Sequence, residues 1–255
     1  MFFKRKINVL FFILVSTLSL GQEIKQDSLD SHKTEKTLKL KYKGLILPAV
    51  LLGYGIVGLE SHQILTYNSE IRAEVKEHID EKLTIDDFSQ YAPHASIYVL
   101  DVMGIKGKNN IKDKAIISAT SYLIMGLTVN ALKNVSIVQR PDGRSNNSFP
   151  SGHTATAFMG AELMHQEYKD VSIWYSISGY VVATGTGLFR MYNNRHWLTD
   201  VAAGASIGIL STKIAYWLHP TISKIFYNNK SSSTKTVFSP FYDGKKIGIG
   251  LVSTF

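Results

Sequence analysis

No cysteine occurs in this 255-residue chain. That excludes disulfides, thiolate metal sites and cysteine nucleophiles together, and the chain needs no redox chemistry to fold in an oxidising compartment. The formal charge is +8, yet no basic stripe with interleaved aromatics is present, so no nucleic-acid partner is indicated. No cluster in the sequence carries the His, Asp and Glu density of a metal site, and no metal or other cofactor is expected. Internal repeats are absent. Charge is missing altogether from two stretches, 115–132 and 171–189, each near the length that crosses a hydrocarbon core. The mean hydropathy is only +0.01, low for a chain with six full spans, so some apolar helices are expected to serve as core helices.

What is present divides the chain into four parts. Residues 1–21 combine a basic start (Lys4, Arg5, Lys6) with an apolar run from Ile7 to Leu20 and a small residue, Gly21; they read as a signal peptide or a short anchor. Residues 22–43 are polar and lysine-rich, a linker or surface arm. Residues 44–220 form the helical domain, with helices expected at 45–60, 87–104, 113–134, 153–168, 171–189 and 198–219. An amphipathic helix over 62–82 is expected to lie across them. Residues 231–255 are rich in β-branched and aromatic types, and YDGK is a hairpin turn signal. A short hairpin is predicted, Val237–Tyr242 with Ile247–Thr254.

Three clusters carry chemistry. The first is KNVSIVQRP, with Lys133, Arg140 and Pro141. The second is PSGH, Pro150 to His153. The third is RMYNNRHWLTD, where Arg190, His196 and Asp200 are spaced R-x5-H-x3-D. Taken singly these are modest: Ser151 suits a helix cap, and basic residues at a helix end answer the helix dipole. Together they converge. Lys133 and Arg190 close the third and fifth expected helices, while His153 and the His196–Asp200 pair open the fourth and sixth. In an antiparallel bundle with short connections, these ends lie on one side. Like charges gathered there are tolerable only if an anion joins them.

Phosphate fits that description. Arginine offers a planar fork and lysine a point charge. The Ser151–Gly152–His153 backbone enters a helix, so unpaired N–H groups and the dipole point at the same place. Hydrolysing a phosphoester without a metal needs a nucleophile, an acid for the leaving group and cations for the equatorial oxygens. Asp200, at i+4 from His196, can hold one ring nitrogen and leave the other free to attack phosphorus. His153 is then the residue left to protonate the departing oxygen. Among the other histidines, His94 in YAPHAS is the one worth testing.

The pattern K-x6-RP, PSGH, R-x5-H-x3-D resembles the phosphatidic acid phosphatase type 2 / vanadium haloperoxidase superfamily. The resemblance implies an all-α fold, a six-helix bundle core, followed here by the short C-terminal β-hairpin. It implies catalysis by His196 through a phosphohistidine intermediate, with His153 as acid and Asp200 orienting the nucleophile. It implies phosphate binding by Lys133, Arg140, Ser151, Gly152 and Arg190, with no metal. One departure is Phe189, where the family often has serine, which puts a helper hydrogen bond in doubt. The run RPDGRSNNSFPSGHTATAFMGAELMHQEY with NNRHWLTDVAAGASIGIL looks like Gram-negative lipid A phosphatases, especially the 4′-phosphatase-like group. Undecaprenyl diphosphate phosphatases share the same catalytic residues.

The expected partners are therefore a lipid phosphate substrate and a membrane. Lys36, Lys39, Lys41 and Lys43, then Lys106, Lys108, Lys112 and Lys114, gather opposite the site. The positive-inside rule puts these lysines in the cytoplasm and the site in the periplasm, on the inner membrane. A cleaved signal peptide with six true spans would reverse this. Three resolutions keep the site periplasmic: an uncleaved anchor, a segment 45–60 that does not cross, or a peripheral domain. Three other readings compete: an acid phosphatase for small esters, a vanadate-dependent haloperoxidase, and a non-catalytic envelope component docking through its tail.

Overall fold

The computed structural model describes residues 42–77, 84–227, 235–242 and 247–254. The signal or anchor reading and nearly all of the linker lie outside these residues, as does the end of the expected 62–82 helix. The chain divides into two units, Met1–Trp217 and Leu218–Phe255.

The first unit is helical throughout its described part. After a 3-10 turn at Tyr42–Leu45, the helices are α1 (Ile46–Val57), α2 (His62–Glu77), α3 (Ile85–Ser89), α4 (Ala92–Val102), α5 (Ile111–Val135), α6 (Gly152–Tyr168) and α7 (Ile173–Tyr192). The last, α8 (Leu198–Tyr227), runs on into the second unit. Eight helices among the described residues replace the six expected plus one crossing helix. The expected 87–104 helix is in fact α3 and α4, broken at Gln90–Tyr91, with Pro93 in the first turn of α4. Proline has no N–H to donate and disfavours a helical residue before it, so a helix start is favoured here over a continuous helix. At the other end, α8 continues past the expected stop at 219 and contains Pro220.

α6 is the centre of the bundle. Twelve of its residues are buried, around its whole circumference, which is how a helix apolar on every side must sit. Met159, Leu163 and Tyr168 pack with Ile97 of α4, Ile117, Met125 and Val129 of α5, and Ile207 and Ala215 of α8. The α6–α8 approach is close because glycines face α6. A Cβ on Gly208 would stand 2.7 Å from the Met159 nitrogen, and one on Gly204 would meet the Ser151 carbonyl.

The end of α6 away from His153 is tied by buried charge. Asn109 donates twice to the Glu167 carboxylate, at 2.8 and 2.6 Å, which closes the loop before α5 onto α6. Lys114 reaches both oxygens of Asp101 at 2.7 Å. Lys114, expected among the lysines gathered opposite the site, is 2% exposed and acts as a structural ion-pair partner. Lys106, Lys108 and Lys112 remain on the surface.

Among the described residues two helices, α5 and α8, are long and apolar enough to cross a membrane, or three spans result if α1 and α2 count as one broken span. α1 and α2 meet at 95°, so α2 does cross the direction of its neighbour. Exposed Leu123 and Leu127 on α5, and Trp174, Val181 and Leu188 on α7, give the bundle an apolar outer surface of the kind lipid covers. In the second unit, β1 (Lys235–Tyr242) and β2 (Ile247–Thr254) pair antiparallel, with Val237 opposite Val252 and Tyr242 opposite Ile247.

Candidate active site

One cavity of about 390 Å³ is lined by Lys133, Arg140, Gly152, His153, Arg190 and His196. Thr84, Asp86, Asp87, Asn193 and Arg195 complete its wall. Six of the eight residues singled out in the sequence thus share one space. The other two, Ser151 and Asp200, do not line it.

The loop from α5 to α6 explains how Lys133 and Arg140 meet. Arg140–Pro141–Asp142–Gly143 is a β-turn closed by Gly143 N–H donating to the Arg140 carbonyl at 2.9 Å, with Gly143 at φ +73°. Proline pre-sets the second position and glycine accepts the positive φ. The chain then doubles back, and Arg140 N–H donates to the Ser145 carbonyl at 2.8 Å. Asn147 becomes a clamp: Lys133 Nζ donates to its carbonyl at 2.7 Å and Arg140 Nε to its Oδ1 at 3.1 Å.

Ser151 caps α6. It is fully buried, its Oγ lies 2.9 Å from Thr154 Oγ1, and its N–H donates to the Asp200 carbonyl at 3.0 Å. In this structure its N–H is committed to α8 and its hydroxyl to the cap. Gly152 and His153 open the helix at the cavity, where first-turn N–H groups have no intrahelical partner and the dipole favours an anion.

The α7–α8 corner places Arg190 and His196. α7 ends in a Schellman turn, with Arg195 N–H donating to the Arg190 carbonyl at 3.0 Å and Asn194 N–H to the Met191 carbonyl at 2.8 Å. Asn194 takes φ +57°, a left-handed conformation that asparagine tolerates better than most residues. The turn folds the chain back so that residues six apart face one cavity. From α2, Arg72 braces the corner, donating to Asn194 Oδ1 at 2.8 Å with its guanidinium 5.6 Å from the centre of the Trp197 ring.

His196 is 3% exposed. Burial pushes its imidazole down to about 4; Asp200 opposes this, while Arg190 and Lys133 add to it. It is therefore neutral at physiological pH. Its Nδ1 stands 3.4 Å from Asp200 Oδ2, longer than a formed hydrogen bond. That oxygen already accepts from Ser148 Oγ at 2.5 Å and from Trp197 N–H at 2.9 Å. Burial also lowers the pKa of His153, with Arg190 adding to the effect and Asp87 and Asp86 opposing it.

The acids of α3 escaped the sequence reading. Asp86 is 1% exposed; it pairs with Arg190 and accepts from Asn193 Nδ2 at 2.9 Å. Asp87 Oδ1 lies 2.9 Å from His153 Nε2. The only available signal was two acids in the first turn of a helix beside the expected site. Donor atoms of Asp86, Asp87 and His153 all lie within 4.8 Å of one another, so the density of acids and histidine that the sequence did not show exists in space. These carboxylates already neutralise Arg190 and His153 in a cavity lined by four basic side chains, and we read the cluster as ion pairs. Turnover by the purified protein should survive EDTA unchanged. Loss on chelation, restored by a divalent ion, would assign the cluster to a metal.

Helix ends of the bundle thus gather two histidines, a lysine and arginines around one cavity whose chemistry suits an anion such as phosphate. Residues 114–224 match the family model of the PAP2 superfamily. The chain is 45% identical over 139 residues to lipid A 1-phosphatase of Porphyromonas gingivalis, covering 54% of this chain and 31% of that protein. It is 36% identical over 81 residues to bacitracin transport permease protein BcrC of Bacillus licheniformis, covering 31% of this chain and 37% of that one. The matched segments thus span about a third of these curated relatives. Among solved structures, Aquifex aeolicus LpxE superposes with a TM-score of 0.45 at 23% identity, covering 59% of this chain and 94% of that one. The transmembrane PAP2-type phosphatidylglycerolphosphate phosphatase of Bacillus subtilis gives 0.45 at 19%, covering 69% and 97%.

Proposed function

We propose that this chain is a lipid phosphatase that hydrolyses a phosphomonoester or diphosphate on an envelope lipid without a metal. The observation that carries the reading is the shared cavity of His153 and His196 with Lys133, Arg140 and Arg190 around it. Neutral His196 attacks phosphorus and the bond from phosphorus to the leaving oxygen breaks. That oxygen takes a proton from His153. Water then attacks the phosphohistidine, gives a proton back to His153, and the P–N bond breaks to release phosphate. Lys133, Arg140, Arg190 and the Gly152 N–H hold the equatorial oxygens, Asp200 orients His196, and Ser151 supports the cradle from behind.

Lipid A is the substrate we favour, through the likeness to the Porphyromonas gingivalis protein, whose name specifies the 1-phosphate. The sequence resemblance pointed instead to the 4′-phosphatase-like group, so both phosphates belong in the test. The alternative is undecaprenyl diphosphate. We place the protein in the inner membrane with the site facing the periplasm, which the surface lysines 106, 108 and 112 on the opposite side support.

The test is phosphate release by purified protein from lipid A, undecaprenyl diphosphate and phosphatidylglycerol phosphate side by side. Release from lipid A is expected, and activity confined to water-soluble esters would overturn the lipid reading. The acid role has its own signature. His153→Ala should lose most of its activity on a lipid phosphate but far less on p-nitrophenyl phosphate, whose leaving group needs no proton. Equal losses on both would remove that role.

A further inference from the structure

The two imidazoles of the cavity need opposite states, His196 neutral to attack and His153 charged to give up a proton. Both face the same cations, since Lys133, Arg140, Arg190 and Arg195 line the wall with them. What separates them is first burial, since the His196 side chain is 2% exposed and that of His153 30%, and then the carboxylate each one meets. Asp200 stands 3.4 Å from His196 Nδ1, and the oxygen nearest the ring is occupied by Ser148 and the Trp197 N–H. Asp87 stands 2.9 Å from His153 Nε2. Pairs of titratable groups pushed apart in this way mark an acid and a base.

α3 is held firmly enough to present that carboxylate. Asp86 is bound by Arg190 and Asn193. Ser89 Oγ lies 2.8 Å from Thr186 Oγ1 on α7, and Gln90 Nε2 donates to the Asp87 carbonyl at 2.9 Å. With its neighbours fixed, Asp87 turns one face to His153 and the other to solvent.

We propose that Asp87 is the positioning residue of the proton donor: its carboxylate holds His153 Nε2, fixes the ring and favours its protonated form against burial and the facing cations. Asp87 makes no bond to phosphorus or to the leaving oxygen; it acts through His153. The proton that His153 gives to the leaving oxygen is replaced from the attacking water. The groups that face His153 are Asp86 and Asp87 on α3 and Arg190 on α7, with Lys133, Arg140, Arg195 and His196 across the cavity. Asp86 also favours the charged ring, but its two oxygens are engaged by Arg190 and Asn193. Asp87, 54% exposed, is the carboxylate in direct contact. This inference rests on the phosphatase reading above.

The test is the pH profile of kcat/KM for wild type and Asp87→Asn, on a lipid phosphate and on p-nitrophenyl phosphate. Asparagine keeps the shape and an acceptor but removes the charge. The alkaline limb reports loss of the donor's proton. A carboxylate raises a neighbouring histidine, so its removal should move that limb to lower pH. For a half-exposed partner the shift should be roughly half to one pH unit, or about a 3- to 10-fold loss above both midpoints. The loss should appear on the lipid phosphate and be small on p-nitrophenyl phosphate. Histidine proton NMR should show the same downward movement of the His153 midpoint, and Asp87→Ser should reproduce it. An unmoved limb, or equal loss on both esters at every pH, would overturn the role of Asp87 and leave the phosphatase reading standing. Wild-type protein that turns over neither ester would overturn the phosphatase reading itself.

Discussion

His196→Ala is expected to end phosphate release, by about four orders of magnitude or more, and to leave no phosphoryl group trapped on the protein. Its imidazole is 3% exposed and held near 4 by burial, so a neutral nitrogen faces the cavity at every pH above about 5. No cysteine exists to replace it. Lys133, Arg140 and Arg190 are untouched by the substitution, so inorganic phosphate should still bind, with an affinity close to wild type. An interaction made only in the transition state lowers kcat and leaves ground-state binding alone. The checks are rapid quench of radiolabelled substrate for the phosphoenzyme, and phosphate binding by calorimetry. Residual turnover within a hundredfold of wild type would move the nucleophile elsewhere, and no change at all would favour the non-catalytic reading.

Most of this site could be read in the sequence because its residues sit at helix ends. Lys133, His153, Arg190 and His196 mark transitions between apolar periodic segments and polar connections, and short connections in a bundle bring such ends together. The Schellman corner was also latent in Asn193–Asn194. Asp86 and Asp87 were not legible for the opposite reason. They approach His153 from 66 residues away, and the expected helix over 87–104 ran through the break that frees α3 to turn its acids inward. Pro93 was the signal for that break. Lys114 groups in the sequence with the lysines opposite the site because sequence cannot show that Asp101 lies across from it. For Ser151 the sequence leaves two roles open, because a cap serine and a phosphate-binding serine occupy the same position in a PSGH turn. Only the partner of its N–H, the Asp200 carbonyl, separates the two.

Gly208→Val should disable the enzyme without touching any group that meets substrate. α6 begins with Gly152 and His153, and α8 begins just after His196 with Asp200 in its first turn. Their separation fixes the distance between the proposed nucleophile and acid. A Cβ at Gly208 would press on the Ala155 carbonyl and stand 2.7 Å from the Met159 nitrogen. Both are backbone atoms of α6, so no rotamer change can relieve the clash and the helices must part. Overpacking of this kind costs about 1–3 kcal/mol, which should appear as a lower unfolding temperature in detergent. Catalysis should suffer more than stability, because a misplacement of about 1 Å can cost a hundredfold in rate. The loss should be equal on a lipid phosphate and on p-nitrophenyl phosphate, unlike that of His153→Ala, since attack and protonation are displaced together. Gly126→Ala is the control: nothing lies within 4 Å of a Cβ there, and alanine is the better helix former. Wild-type rates in Gly208→Val would show that the α6–α8 contact does not set the geometry of the cavity.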